Sequence, residues 1–155
     1  MNAESYLNEI AQWFAALQLD AVMIGNAAAA INGAPVTTLD IDFMLENTDE
    51  NYRKLAFLAQ QMNCLFMEMK LTDDKYIYRL KRRDDPLMMD FLFSASGLKD
   101  FKTVKQNSTT VFFGENPLAV ASLEDIIASK RAAGRPKDIA ITPILEMTLD
   151  EQRKH

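Results

Sequence analysis

Apolar residues at Tyr6, Leu7, Ile10, Trp13, Phe14 and Leu17 recur at intervals of three and four, which predicts an amphipathic helix near the start of the chain. The short apolar run "AVMIG" then reads as a buried strand ended by Gly25, and "NAAAAIN" as a helix closed by Gly33. "LDIDFML" alternates with period two and predicts a strand whose polar positions are acidic. "TDENYRKLAFLAQQM" returns to helical spacing, with Thr48 or Asp49 as its cap. "CLFMEMKL" and "KYIYRLKRR" read as strands separated by the turn residues "TDD", and "LMMDFLFS" as a further apolar strand.

The C-terminal third changes character. "TTVFFGENP" predicts one last short strand with a Gly and Pro exit. "SLEDIIASKRAAG" carries a capping pair, Ser122 and Asp125, and a stop at Gly134. "RPKDIAITPILEM" restarts a helix with Pro136 in its first turn. No repeat, low-complexity tract or linker divides the chain, so residues 1–155 are expected to form one domain. The order of elements predicts a mixed β-sheet flanked by helices, an α/β (α+β) architecture with C-terminal helices.

Composition narrows the chemistry. Seventeen Lys and Arg against twenty-two Asp and Glu give a net charge of -5, which argues against sequence-blind coating of nucleic acid. Cys64 is the single cysteine and the terminal His155 the single histidine. Intramolecular disulfides, multi-cysteine metal sites and histidine-based triads are thereby excluded. No apolar run reaches the roughly 20 residues of a membrane span, and "MNAESYLNEI" lacks the features of a signal peptide. The expected setting is cytoplasmic, with no membrane partner.

The remaining candidates are carboxylates and a lysine. Asp40 and Asp42 share one face of their strand, roughly 6–7 Å apart at Cα. Two oxygen ligands so placed suit Mg²⁺, although Asp-x-Asp also occurs on strands that are simply half exposed. Asp90 lies between Met88, Met89 and Phe91, Leu92, Phe93, so its charge must be paired or bound. It completes a three-carboxylate cluster if the two strands are neighbours; otherwise Arg79, Lys81 or another base is its partner. Gly25-Asn26, at a strand end opening a helix, offers backbone N–H groups to a phosphate. Lys130 continues the apolar stripe of Leu123, Ile126 and Ile127, and either snorkels to the edge or reaches into a pocket for an anion. Asp138 falls in the first turn of the last helix, where the dipole favours a carboxylate. Arg131, Arg135 and Lys137 read most simply as solvated, with contact to an anionic substrate as the alternative, and "RLKRR" at 79–83 as a polar strand face.

Taken together, "IGN…TTLDIDFML…MMDFLF" resembles the nucleotidyltransferase superfamily that shares the DNA polymerase β catalytic fold. With "SLEDIIASKRAAGRPKDIA" added, the chain looks most like the small bacterial branch related to abortive-infection and type IV toxin–antitoxin nucleotidyltransferases, over a motif core of about residues 20–145. The resemblance implies a magnesium- (or manganese-) dependent transfer of a nucleoside monophosphate from a nucleoside triphosphate to an acceptor hydroxyl on a protein, RNA or small molecule. It implies metal ligation by Asp40, Asp42 and Asp90, with Asp90 alternatively serving as base. It places Gly25, Asn26, Thr38, Lys130 and Asp138 at the nucleotide, and it leaves room for a protein partner or a homodimer. Asn26 replaces a small glycine or serine, and Val36 stands where relatives commonly carry arginine. Those departures keep open a second reading, a nucleotide-binding or toxin–antitoxin-type module of the same fold with weak or no turnover. A third is a structural partner protein whose carboxylates are tied up in salt bridges.

Overall fold

The structure is a computed structural model that describes residues 3–36, 40–72 and 75–155. Six helices and seven strands follow the order α1 (Ala3–Leu17), β1 (Val22–Ile24), α2 (Gly25–Ile31), β2 (Asp40–Met44), α3 (Asp49–Gln61), β3 (Cys64–Thr72), β4 (Lys75–Arg82), β5 (Met88–Leu92), α4 (Phe101–Asn107), β6 (Thr109–Phe113), β7 (Asn116–Val120), α5 (Leu123–Ala133) and α6 (Pro136–Arg153). All seven strands join one mixed sheet in the order β3-β4-β5-β2-β1-β7-β6. β2 runs parallel to β5, and β1 parallel to β7; the other neighbours are antiparallel.

Alternation along the central strands sorts side chains to two faces. Ile41 and Phe43 of β2 and Met89 and Phe91 of β5 point to the buried face. There Phe14 of α1 meets Phe43 edge-on at 4.9 Å, and Phe43 stacks on Phe91 at 5.4 Å. Each such buried ring contributes about 1.5–3 kcal/mol of transfer free energy. α3 adds Leu55, Leu58 and Ala59 to the same layer. Thr48, Asp100 and Ser122 cap α3, α4 and α5 by accepting a backbone N–H three residues on, each cap contributing about 1 kcal/mol. Thr48, rather than Asp49, is therefore the cap of α3.

Three local expectations change. "TTVFFGENP" forms a hairpin of two strands, β6 and β7, turning at Gly114 with φ +65°. The helix α4 was not apparent, because its seven residues carry too short a period to register. Arg82 is not on an exposed polar face: it is 8% exposed and holds Glu9 of α1 through two contacts of 2.8 and 2.7 Å, with Asp85 at 3.2 Å. A guanidinium fork can satisfy several carboxylate oxygens at once, so it anchors α1 to the sheet where a lone charge would be costly. Among the described residues no helix is long and apolar enough to cross a membrane.

Candidate active site

The parallel pairing of β2 and β5 sets Asp42 directly opposite Asp90, and Asp40 opposite Met88. The antiparallel pairing of β4 and β5 sets Arg79 opposite Asp90, and that of β1 and β2 sets Ile24 opposite Asp42. Directly paired residues share a face. A row Arg79–Asp90–Asp42–Ile24 therefore crosses the middle of the sheet, on the side away from the aromatic core.

Within that row Arg79 and Asp90 form a bidentate pair, Nε to Oδ1 at 2.8 Å and the terminal nitrogen to Oδ2 at 2.9 Å. The Asp90 side chain is 12% exposed. Of the roles weighed for Asp90, the partnership with Arg79 is thus present in the structure. Arg79 occupies two of the about four lone-pair positions of the carboxylate and leaves the others. Its hydrogen bond to Asp90 in turn raises the pKa of the Arg79 guanidinium. Asp40 is exposed, and Asp42 is half-buried. Burial, followed by the charge of Asp90, pushes the Asp42 carboxyl up to about 6 from 3.8; Lys130 and Arg79 pull it down, and Asp40 adds to the rise. Among the described residues no three carboxylate, histidine or cysteine side chains converge as a ready ligand set.

A cavity of about 350 Å³ opens beside this row, lined among others by Gly25, Asp42, Lys130, Arg135 and Asp138. Four positions singled out from widely spaced segments of sequence (Gly25, Asp42, Lys130 and Asp138) thus share one depression. Lys130 is 14% exposed and turned into the cavity, its Nζ 3.6 Å from Asp138 Oδ1. Of its two readings, the structure has the pocket rather than the snorkel. Asp138 has no exposed surface; it accepts from Arg135 Nε at 2.6 Å and from the Arg135 backbone N–H at 3.2 Å. Burial opposes its charge, yet these hydrogen bonds and the charges of Arg135 and Lys130 outweigh it and hold the carboxyl below its ordinary range. Arg135 is solvated as expected, its side chain 56% exposed, and it also lines the cavity and braces Asp138. Arg131 pairs with Glu146 on the surface.

Gly25 has φ +69°, and a Cβ there would stand 3.0 Å from Asp42 Oδ2. The glycine therefore sets how closely the chain passes Asp42. Gly25→Ala is expected to cost about 1–2 kcal/mol, read as a lower denaturation midpoint with unchanged slope. Asn26 is not among the residues lining the cavity, and its buried Oδ1 has no hydrogen-bond partner among the described residues. Thr38, expected at the nucleotide, lies outside the described residues.

Other lining residues were not foreseen. Ser94, Ser96 and Leu98 arrive on the loop after β5, Ser129 on α5, and Lys75 at the start of β4. Gly97 seats that loop on α5, since a Cβ at this position would fall 2.5 Å from the Ala128 carbonyl oxygen. Serines in a loop carry no spacing signal; for Ser129, its place beside Lys130 was the only hint.

Neither a family model nor a curated protein matches the chain. Solved structures do. The lincomycin-bound lincosamide antibiotic adenylyltransferase LnuA superposes with a TM-score of 0.64 at 11% identity, over 94% of this chain and 96% of its own. ANT(2″)-Ia in complex with adenylyl-2″-tobramycin superposes with a TM-score of 0.63 at 16% identity, over 97% and 91%. The chain has the nucleotidyltransferase fold. In that fold the row of acids on β2 and β5 and the cavity against α5 and α6 lie on one side of the sheet, and the aromatic core lies on the other. At these identities the likeness is one of architecture, and residue roles rest on this chain's own geometry.

Proposed function

We propose that the protein transfers a nucleoside monophosphate from a nucleoside triphosphate to an acceptor hydroxyl, with Mg²⁺ or Mn²⁺ as cofactor. The observation that carries the reading is the convergence of Gly25, Asp42, Lys130 and Arg135 on one cavity within a nucleotidyltransferase fold. The donor chemistry suits a hard divalent ion. Asp40 and Asp42 offer carboxylate oxygens from one strand, and burial together with the charge of Asp90, which raise the Asp42 pKa, disfavour a charge that a cation would neutralise. When bound, the ion supplies charge neutralisation on the reacting phosphate oxygens.

The chain's own residues do the rest. Lys130 and Arg135 offset triphosphate charge, and Asp138 fixes both cations in place from below. Gly25 leaves room beside Asp42 for a phosphate oxygen. Asp90, held in place by its two bonds to Arg79, orients the acceptor hydroxyl with its remaining lone pairs. Because LnuA is a lincosamide antibiotic adenylyltransferase and ANT(2″)-Ia an antibiotic-resistance factor solved with adenylyl-2″-tobramycin, small hydroxylated molecules are the first acceptors to try, ahead of RNA or protein.

The test is incubation with each labelled triphosphate, Mg²⁺ and a panel of acceptors beside a cell extract. Labelled product from wild type and none from Asp42→Ala is expected. A Lys130→Met variant is expected to lose about 10²-fold in kcat/KM, the scale of one transition-state charge contact. One observation favours a second reading: Asp90 already spends its charge on Arg79, which suits a module that binds nucleotide without turnover. Calorimetric binding of triphosphate with no labelled product would select it.

A further inference from the structure

We propose that α6 carries a self-complementary surface through which two copies of this chain pair antiparallel about Pro143. The helix has two faces. Asp138, Thr142 and Leu145 pack inward, whereas Ile139, Ala140, Pro143, Ile144 and Met147 are exposed. Ile139 is 64% and Met147 69% exposed. At 100° per residue these five side chains form one stripe directly opposite the buried side. Isolated exposed apolar residues need no explanation, but a stripe running along three turns of one helix does.

Charge identifies what covers it. Lys137 lies at the N-terminal end of the stripe, and Asp150 and Glu151 at its C-terminal end. Lys137 is exposed and forms no ion pair among the described residues, and Glu151 holds only the exposed Lys154 of its own helix end at 3.3 Å, a surface contact that is readily exchanged. A parallel pairing of two copies would set lysine beside lysine and carboxylate beside carboxylate. An antiparallel pairing about Pro143 makes equidistant positions meet. Ile139 of each copy then faces Met147 of the other, and Lys137 comes alongside Glu151, which lies on the same flank of the stripe. Both helix dipoles also oppose favourably. One patch meeting itself under a two-fold axis is the isologous contact of cyclic dimers, and the proline at the axis removes a backbone donor that no partner there needs.

The inference stands apart from the nucleotidyl-transfer reading, since it concerns the outer side of α6 and none of the cavity residues. Its test is sedimentation velocity of the full chain over a concentration series. A concentration-dependent dimer is expected, with Met147→Glu sedimenting as monomer while its circular dichroism stays that of wild type. Lys137→Glu alone and Glu151→Lys alone are each expected to weaken dimerisation about tenfold, and the double swap to restore it, because reversing both ends regenerates the pair. A Pro143→Cys variant is expected to be linked into dimers by a short bis-maleimide, with little background because Cys64 is buried. A monomer at every concentration overturns the proposal. So does a dimer that survives Met147→Glu, or a double swap no better than the single ones.

Discussion

Asp42→Asn is expected to abolish labelled product and, in the absence of ligand, to raise the melting temperature at pH 7. The two effects share one cause. In the native chain Asp42 is ionised at neutral pH although burial and Asp90 push its carboxyl up to about 6, against 3.8 for the ordinary group. Between those two values the native state binds a proton that the unfolded chain releases. The contribution of Asp42 therefore favours folding below about pH 4, and it is lost as the pH rises through about 6. A shift of about two units corresponds to at most about 3 kcal/mol. Replacing the carboxylate by its neutral isostere is expected to recover about 1–3 kcal/mol at pH 7. That is about 2–4 °C in Tm per kcal/mol for a chain of this length. The check is a set of melting curves from pH 4 to pH 8. Wild type loses stability across pH 4–6 relative to the variant, and the curves converge at the acid end. Mg²⁺ is expected to raise the wild-type midpoint at pH 7 and to leave that of Asp42→Asn unchanged. A variant no more stable than wild type at pH 7 would show that Asp42 is not strained, removing the electrostatic basis for a cation there.

Arg79→Met is expected to cost about 3 kcal/mol or more. It leaves Asp90, 12% exposed and directly opposite Asp42, with no countercharge in the row. Breaking such a pair from one side strands the other charge, which costs far more than the pair itself contributes. The second mutation tests the cause. Asp90→Asn placed in the Arg79→Met background is expected to restore most of the lost stability, so urea denaturation of the four proteins gives a coupling of about 2 kcal/mol or more. Independent, additive losses would mean that Arg79 acts through its packing and not through Asp90.

How far the sequence reached is best seen at particular residues. Period-two alternation in "LDIDFML" put Ile41 and Phe43 on the buried side and Asp42 on the other, because strand geometry fixes which neighbours share a face. Ser122 and Gly134 bounded α5 as expected, since capping is a local hydrogen-bond requirement. Asp90 was legible as a charge in need of a partner, yet its partner was not. Arg79 and Lys81 both lie on β4, and only the register of β4 against β5 brings Arg79 opposite and leaves Lys81 beside Met88. Arg135 is solvated as its sequence suggested, but its bond to Asp138 was not legible, because what a surface arginine touches depends on where α6 leaves α5.

The sequence by itself therefore determined most of the elements, the boundaries of α5, the acidic strand and the fold class, which follow from interactions within a few residues, while α4 and the β6–β7 hairpin did not show. The tertiary structure alone decided that Asp42 faces Asp90, that Arg79 claims Asp90, and that Gly25, Lys130 and Asp138 share a cavity. Those outcomes depend on strand order and register, which are fixed by burying the Phe14, Phe43 and Phe91 layer on the far side of the sheet. Hydrophobic burial is non-directional and summed over the whole chain, so no local window of sequence carries it.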